Sequence, residues 1–396
     1  MNTSSDDSKK VSLTIISYIS LKNIGYFIIG LSLAVLPIFI HQDLGFSATV
    51  AGLVISLQYL TTFMLRGYSG KIVDTKGPKQ AVVMSMTGFT ITGFVLILAY
   101  YFKFSPFICL GFLIVTRLLT GSAEGMVGAS PINWAILKVG EKYTATCISY
   151  NGVASYGGLA FGAPLGVVIV KYSNFYVLGG LIILLGLIGL FFSKSKENIQ
   201  GKHTKDQQSF WNILGKVAPY GLCLALGGLG FATISTFMTL YYEYHNWENG
   251  ALSLTVFGVL FILARLIFSN AIPKYGGIKV AIVSLFVEAI GLMVIWLSQD
   301  PTITLIGAGI TGLGFSLVFP AMGVVAMKTV PSSNQGSALA GYGLFIDISL
   351  GVTGPLVGGV ADYLGMNYIF PFSMIMVLIG VSLSYFLKFK TAKSIV

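Results

Sequence analysis

The sequence predicts an all-α membrane protein of twelve transmembrane helices in two pseudo-symmetric six-helix halves, and three observations carry that expectation. Of 396 residues, 55% are hydrophobic and 10% charged, with a mean hydropathy of +0.83. That leaves too little polar surface to cover a soluble globule of this size. Apolar runs of about 20 residues recur along the chain, each long enough to cross a hydrocarbon core of roughly 30 Å as a helix. Finally, the chain echoes itself. A shift of 199 residues carries Arg66 onto Arg265, Gly70 onto Ser269 and Gly77 onto Gly276. Shifts of 189 and 191 carry Pro131 onto Pro320 and Pro164 onto Pro355.

In chain order, the first expected span, 13–40, follows a polar start from Met1 to Lys10. It is longer than a signal-peptide core and has no small-residue cleavage site, so it is expected to be retained. Spans at 48–70 and 80–102 flank the charged loop Gly70–Lys79, and spans at 106–137, 144–170 and 174–193 complete the first half, 1–193. The polar stretch 194–212, rich in Lys, Gln and Ser without apolar periodicity, reads as a flexible linker. The second half, 213–396, holds spans at 214–240, 251–271, 279–298, 303–329, 336–361 and 366–388.

The net charge of +10 is dispersed in short gaps between apolar runs, which argues for topology signals and a bilayer and against nucleic acid. Under this span map 20 of the 24 Lys and Arg residues share one face, which places both termini and the linker in the cytoplasm. Lys103 and Lys171 fall on the other face, and Lys22 and Arg117 lie within spans. Cys109, Cys147 and Cys223 lie in apolar segments without ligand spacing, so small buried residues are expected and disulfides are not. His41, His203 and His245 are equally scattered, and no phosphate-cradling Gly-rich loop occurs. No metal site, no cofactor, no ATP coupling and no enzyme activity are expected.

Ionisable residues inside spans are the informative ones, because each costs on the order of 3 kcal/mol at mid-bilayer. Arg117 and Glu124 lie two helical turns apart on the fourth span, on a face with Gly121, Gly125 and Gly128. They are read either as a buried pair that fixes packing or as a proton- or cation-binding carboxylate biased by an arginine. Asp347 lies on an eleventh-span stripe of Gly343, Gly351, Gly354 and Gly358, and is either held by a neighbouring hydroxyl or serves as a substrate or proton site. Glu288, on the ninth span, either pairs locally, snorkels or faces the substrate path. Lys22, beside Asn23 and a turn before Tyr26, either snorkels or counters a substrate carboxylate. Gln58 and Tyr59, Asn133 with Trp134, and Tyr150, Asn151 and Tyr156 are further substrate-binding candidates. In the Gly70–Lys79 loop, Asp74 is suited to a helix N-terminus or a basic partner across the halves. Gly70 and Gly77 would permit close approach, and Lys71, Lys76 and Lys79 would hold the surface. Pro273 replaces the acid in the second copy, which implies one latch.

These motifs resemble the major facilitator superfamily. Gly70-x-x-x-Asp74-x-x-Gly77-x-Lys79, with Arg66 before it, matches that superfamily's cytoplasmic loop signature. Arg117-x-x-x-Gly121 resembles the arginine motif of its proton antiporters. Gly158-x-x-x-Gly162-Ala163-Pro164-Leu165-Gly166 resembles their glycine-proline motif, with Ala163 interrupting it, and Gly354-Pro355-Leu356-Val357-Gly358-Gly359 is a cleaner copy, which marks Gly158, Gly162, Pro164, Gly166, Gly354, Pro355 and Gly358 as helix-packing residues. The strings GFSATVAGLVISLQY (45–59), ISYNGVASYGGLAFGAPLGVV (148–168), GFSLVFPAMGVVAMKTVPSSNQGSALA (314–340) and SLGVTGPL (349–356) are similar to the YhhS and YfcJ branch of bacterial exporters. The resemblance implies a monomeric secondary transporter of the bacterial cytoplasmic membrane, with a mid-membrane substrate site between the halves. It implies alternating access, proton antiport tuned by Arg117, and a small-molecule substrate; Glu124, outside that motif, and Asp347 are the proton-coupling carboxylates that the residues themselves suggest. That branch includes an exporter of an opine-type metallophore, and efflux of drugs or sugars is the alternative.

Overall fold

The computed structural model describes residues 3–199, 210–268, 270–330 and 335–393, and all their regular structure is helical. Eleven helices among the described residues are long and apolar enough to cross a membrane. They are α1 (Lys10–Asp43), α2 (Ala48–Val73), α3 (Pro78–Tyr101), α4 (Pro106–Val139), α5 (Thr146–Tyr172), α6 (Phe175–Ser195), α7 (Trp211–Tyr244), α9 (Gly277–Leu297), α10 (Pro301–Met327), α11 (Gly341–Tyr363) and α12 (Met366–Phe389). The shorter apolar helix Leu252–Ile267 takes the place of α8. Every expected span thus has its helix. Residues 200–209 of the expected linker lie outside the described residues.

The chain divides into two compact units, one of Met1–Val35 with Leu60–His203, the other of Leu36–Tyr59 with Thr204–Val396. Within the first, α1 packs along α5, and α3 packs against α4 and α6. Within the second, α7 packs along α11, and α9 packs against α10 and α12. Each pairing in one unit is the other's pairing moved on by six helices, the structural counterpart of the sequence repeat.

Small residues make the longest seam. A Cβ at Gly158 would lie 2.8 Å from the Phe27 amide nitrogen. One at Gly162 would overlap the Phe27 carbonyl, and one at Gly166 the Leu31 carbonyl. Three glycines at four-residue spacing therefore lay the α5 backbone directly on α1. The cleaner second copy works likewise inside its unit: a Cβ at Gly354 would overlap Gly52, and one at Gly358 would lie 2.8 Å from the Thr49 Cα, so α11 packs on the start of α2. Pro164 and Pro355 sit inside these helices.

The repeat is also visible in the turns. Gly77 and Gly276 adopt φ of +88° and +83°, a left-handed conformation that glycine reaches without strain, and each opens the next helix. Two helices are broken at matching places. Turn residues Gly128–Ala129 interrupt α4 just before Pro131, and Ser316–Leu317 interrupt α10 just before Pro320. Proline lacks an amide hydrogen and its ring collides with the carbonyl four residues back, so the carbonyls of Val127 and Ser316 lose their helical donors.

Candidate functional site

Each of the two helix breaks receives a cation. Lys22 on α1 is buried, and its Nζ donates to the Gly128 carbonyl at 2.7 Å while standing 5.2 Å from the Tyr26 ring centre. Arg265 on α8 does the same for the other break, its Nη2 donating to the Ser316 carbonyl at 2.9 Å. Ser316 is the residue four before Pro320, whose ring denies that carbonyl its ordinary partner. Lys22 thus points inward to α4, and a charge-assisted hydrogen bond holds it there.

Arg117 and Glu124 share the inward face of α4 and are both buried, but their described partners differ. Arg117 reaches α1, where its Nη2 donates to Ser32 Oγ at 3.0 Å. Glu124 meets α2: the Thr62 hydroxyl lies 3.3 Å from Glu124 Oε2 and 3.0 Å from the Gly121 carbonyl. A Cβ at Gly125 would come 3.2 Å from the Thr62 carbonyl, so the small residues of α4 admit α2 at the level of the carboxylate. Thr62, Ser32 and the Gly128 carbonyl join the cluster without any mark in the sequence, since a hydroxyl or carbonyl partner has no charge pattern to betray it.

The remaining candidates are placed as follows. Asn23 Nδ2 donates to the Ala154 carbonyl at 2.9 Å, which ties α1 to α5 beside Gly158. On α5, Tyr150, Asn151 and Tyr156 are half-buried, and Asn151 Oδ1 is enclosed with no partner among the described residues. Asn133 is exposed. In the second unit Asp347, Gln58 and Tyr59 are buried. Glu288 is completely buried, so it does not snorkel, and neither of its carboxyl oxygens has a hydrogen-bond partner among the described residues.

The charged loop is tied to its own unit. Lys79 Nζ donates to the Lys194 and Lys196 carbonyls at 2.8 and 2.6 Å, and so sits as a cation on the C-terminal end of α6. A Cβ at Gly77 would lie 2.5 Å from Asn198 Oδ1, and Asn198 Nδ2 donates to the Lys76 carbonyl at 3.1 Å. Trp134 Nε1 donates to the Glu197 carbonyl at 3.1 Å, and Lys138 pairs with the Glu197 carboxylate at 2.8 Å. That partnership holds the Glu197 carboxyl below its ordinary value, while burial lowers the ammonium of Lys196, which lies 4.3 Å above the Tyr18 ring. The stretch of chain after α6 is clasped by α1, α3 and α4. Arg66 is half-buried, and a Cβ at Gly70 would meet nothing within 4 Å. The Asp74 side chain lies outside the described residues.

A family profile of the Major Facilitator Superfamily matches residues 21–269 and 222–395. The chain belongs to the major facilitator superfamily. An uncharacterized MFS-type transporter of Pseudomonas aeruginosa (strain UCBPP-PA14) is 46% identical over 376 residues, covering 95% of this chain and 93% of its own. Another, of Burkholderia mallei (strain SAVP1), is 44% identical over 382 residues, covering 96% and 94%. The crystal structure of a point mutant of the nucleoside transporter NupG superposes with a TM-score of 0.76 at 13% identity, over 95% of this chain and 99% of that one. That likeness is one of fold. The protein is a multi-pass membrane transporter of this superfamily for a small-molecule substrate.

Proposed function

We propose that this superfamily member is a secondary active exporter that moves a small, polar, multiply charged solute outward in exchange for protons by alternating access. Within the YhhS/YfcJ-like branch, its best candidate cargo is staphylopine, an opine-type metallophore. One observation carries the reading. Buried side chains of both signs sit within the spans, with Lys22, a third of the way along its helix, Arg117 and Glu124 on one set of packed helices and Asp347 on the other unit. Each costs on the order of 3 kcal/mol at such depth, so the set is hard to account for in a protein that handles only apolar cargo. A solute with several carboxylates and amines uses both signs, and Glu124, in contact with a hydroxyl and on the same face as Arg117, is suited to exchange a proton.

In this reading the proton is carried by Glu124 with Arg117 biasing it, and by Asp347. Lys22, Tyr26, Gln58, Tyr59, Asn133, Tyr150, Asn151, Tyr156 and Asp347 line the solute's path, and Glu288, enclosed in the conformation seen here, joins them only when its neighbouring helices separate. The loop of Arg66, Gly70, Asp74, Gly77 and Lys79 is the conformational latch on the cytoplasmic side, where both termini lie, and the working unit is a monomer. The test compares metallophore retained in cells with metallophore in the medium for strains with and without the gene. Retention in the deletion strain supports the reading. Unchanged distribution with altered resistance to drugs or sugars moves the cargo to the alternative class.

A further inference from the structure

Glu288 stands at the middle of α9, eleven residues after Gly277 and nine before Leu297, and none of its surface is exposed. Its carboxyl lies flat in a notch that two glycines of α7 provide. A Cβ at Gly230 would lie 2.5 Å from Oε1, and one at Gly227 would lie 3.2 Å from Oε2. From the other side α10 closes in, where a Cβ at Gly314 would overlap the Glu288 amide nitrogen. Both carboxyl oxygens are enclosed, with no surface that water can touch.

Nor does any helix packed on α9 bring it a counter-charge. On α10, Pro301–Met327 contains no ionisable residue, and the Thr311 and Ser316 hydroxyls donate to the Gly307 and Phe261 carbonyls at 2.8 and 2.6 Å. On α7, Cys223 lies one turn before Gly227 and donates to the Pro219 carbonyl, while Lys216, Tyr220 and the group Tyr241–Tyr244 stand toward the ends. On α12, Tyr368 and Tyr385 are exposed and Lys388 lies at the helix end, as do Lys274 and Tyr275 ahead of α9. An ionised carboxylate in such surroundings has neither solvent nor partner, and its burial costs far more than that of the neutral acid.

The geometry points to Glu288 as a proton-binding site, occupied in the conformation seen here and able to release its proton only when α7 draws away from α9. The Gly227–Gly230 stretch makes the two states distinct: with the proton bound, α7 lies on the carboxyl, and ionisation demands water that only separation admits. The site adds a second-unit proton carrier to the exporter reading and rests on that reading for its part in the cycle, though not for its occupancy.

Infrared difference spectroscopy of the purified protein in lipid reads the occupancy directly. Wild type minus Glu288→Gln should show the carbonyl band of a protonated carboxylic acid at neutral pH, and the band should persist as the medium is made alkaline. Should the glutamine variant not fold, Glu288→Asp should shift the same band. A carboxylate band in its place, or no difference, overturns the site. Vesicle flux under an imposed pH gradient separates the two ideas. Flux that ignores the gradient while the acid band is present removes the exporter reading and leaves the site, and coupled flux without the band does the reverse.

Discussion

Substitution of Gly162 by alanine tests the α1–α5 seam with the smallest possible change. The added methyl meets the Phe27 carbonyl and comes within 3.1 Å of the Leu31 amide nitrogen and 3.2 Å of the Gly30 Cα, all of them main-chain atoms that no side-chain rotation can clear. Overpacking of this kind costs about 1–3 kcal/mol. Gly180, on the exposed face of α6, provides the control, because a Cβ there meets nothing within 4 Å. Alanine at 180 removes a flexible glycine from a helix interior and should be neutral or stabilising by up to roughly 1 kcal/mol. The two variants should therefore differ by about 1–4 kcal/mol in thermal unfolding of the purified proteins followed by monodisperse fraction. Equal midpoints would mean that α1 and α5 are not packed backbone to backbone, and the motif would lose its structural reading.

Other perturbations reach other parts of the account. Lys22→Met removes the charged donor to the Gly128 carbonyl and should destabilise by about 1.5–3 kcal/mol, with Lys22→Arg restoring most of it; a stable but inactive Lys22→Met would make the residue a solute ligand alone. Asp74→Asn keeps volume and removes charge, so transport should fall with expression unchanged, and full transport would reduce the loop to a topology signal. Because Lys138 depresses the Glu197 carboxyl, the clasp should be fully made above the ordinary carboxylate range and loosen as pH falls through the lowered value. Trp134 fluorescence, in a variant lacking the other three tryptophans, should report that loosening, and Glu197→Gln should abolish it.

The helices were legible because a run of apolar residues long enough for the bilayer has few alternatives. The seams were legible too, since glycines at four-residue spacing leave room for a neighbouring backbone, as Gly158, Gly162 and Gly166 do for α1. What composition could not give is the partner of each buried charge. Two-turn spacing placed Arg117 and Glu124 on one face, but it could not show that Ser32 of α1 and Thr62 of α2 would be among their partners. Lys22 read equally well as snorkelling, because its partner is a main-chain carbonyl at a helix break, and Pro131 signals the break without naming the donor. Glu288 shows the same limit. Its sequence left pairing, snorkelling and a place on the substrate path open, because the burial of its carboxyl is decided by glycines far away along the chain, in α7.

Proton-driven export is the central claim, and flux through Glu124→Gln protein in reconstituted vesicles tests it most directly. Glutamine keeps the size of the side chain and can keep the contact with Thr62, but it has no proton to exchange at physiological pH. With staphylopine inside and an imposed pH gradient, the wild type should export faster than without the gradient, and the variant should run at one slow rate in both. A Glu124→Gln protein that the gradient drives as fully as the wild type would contradict the account.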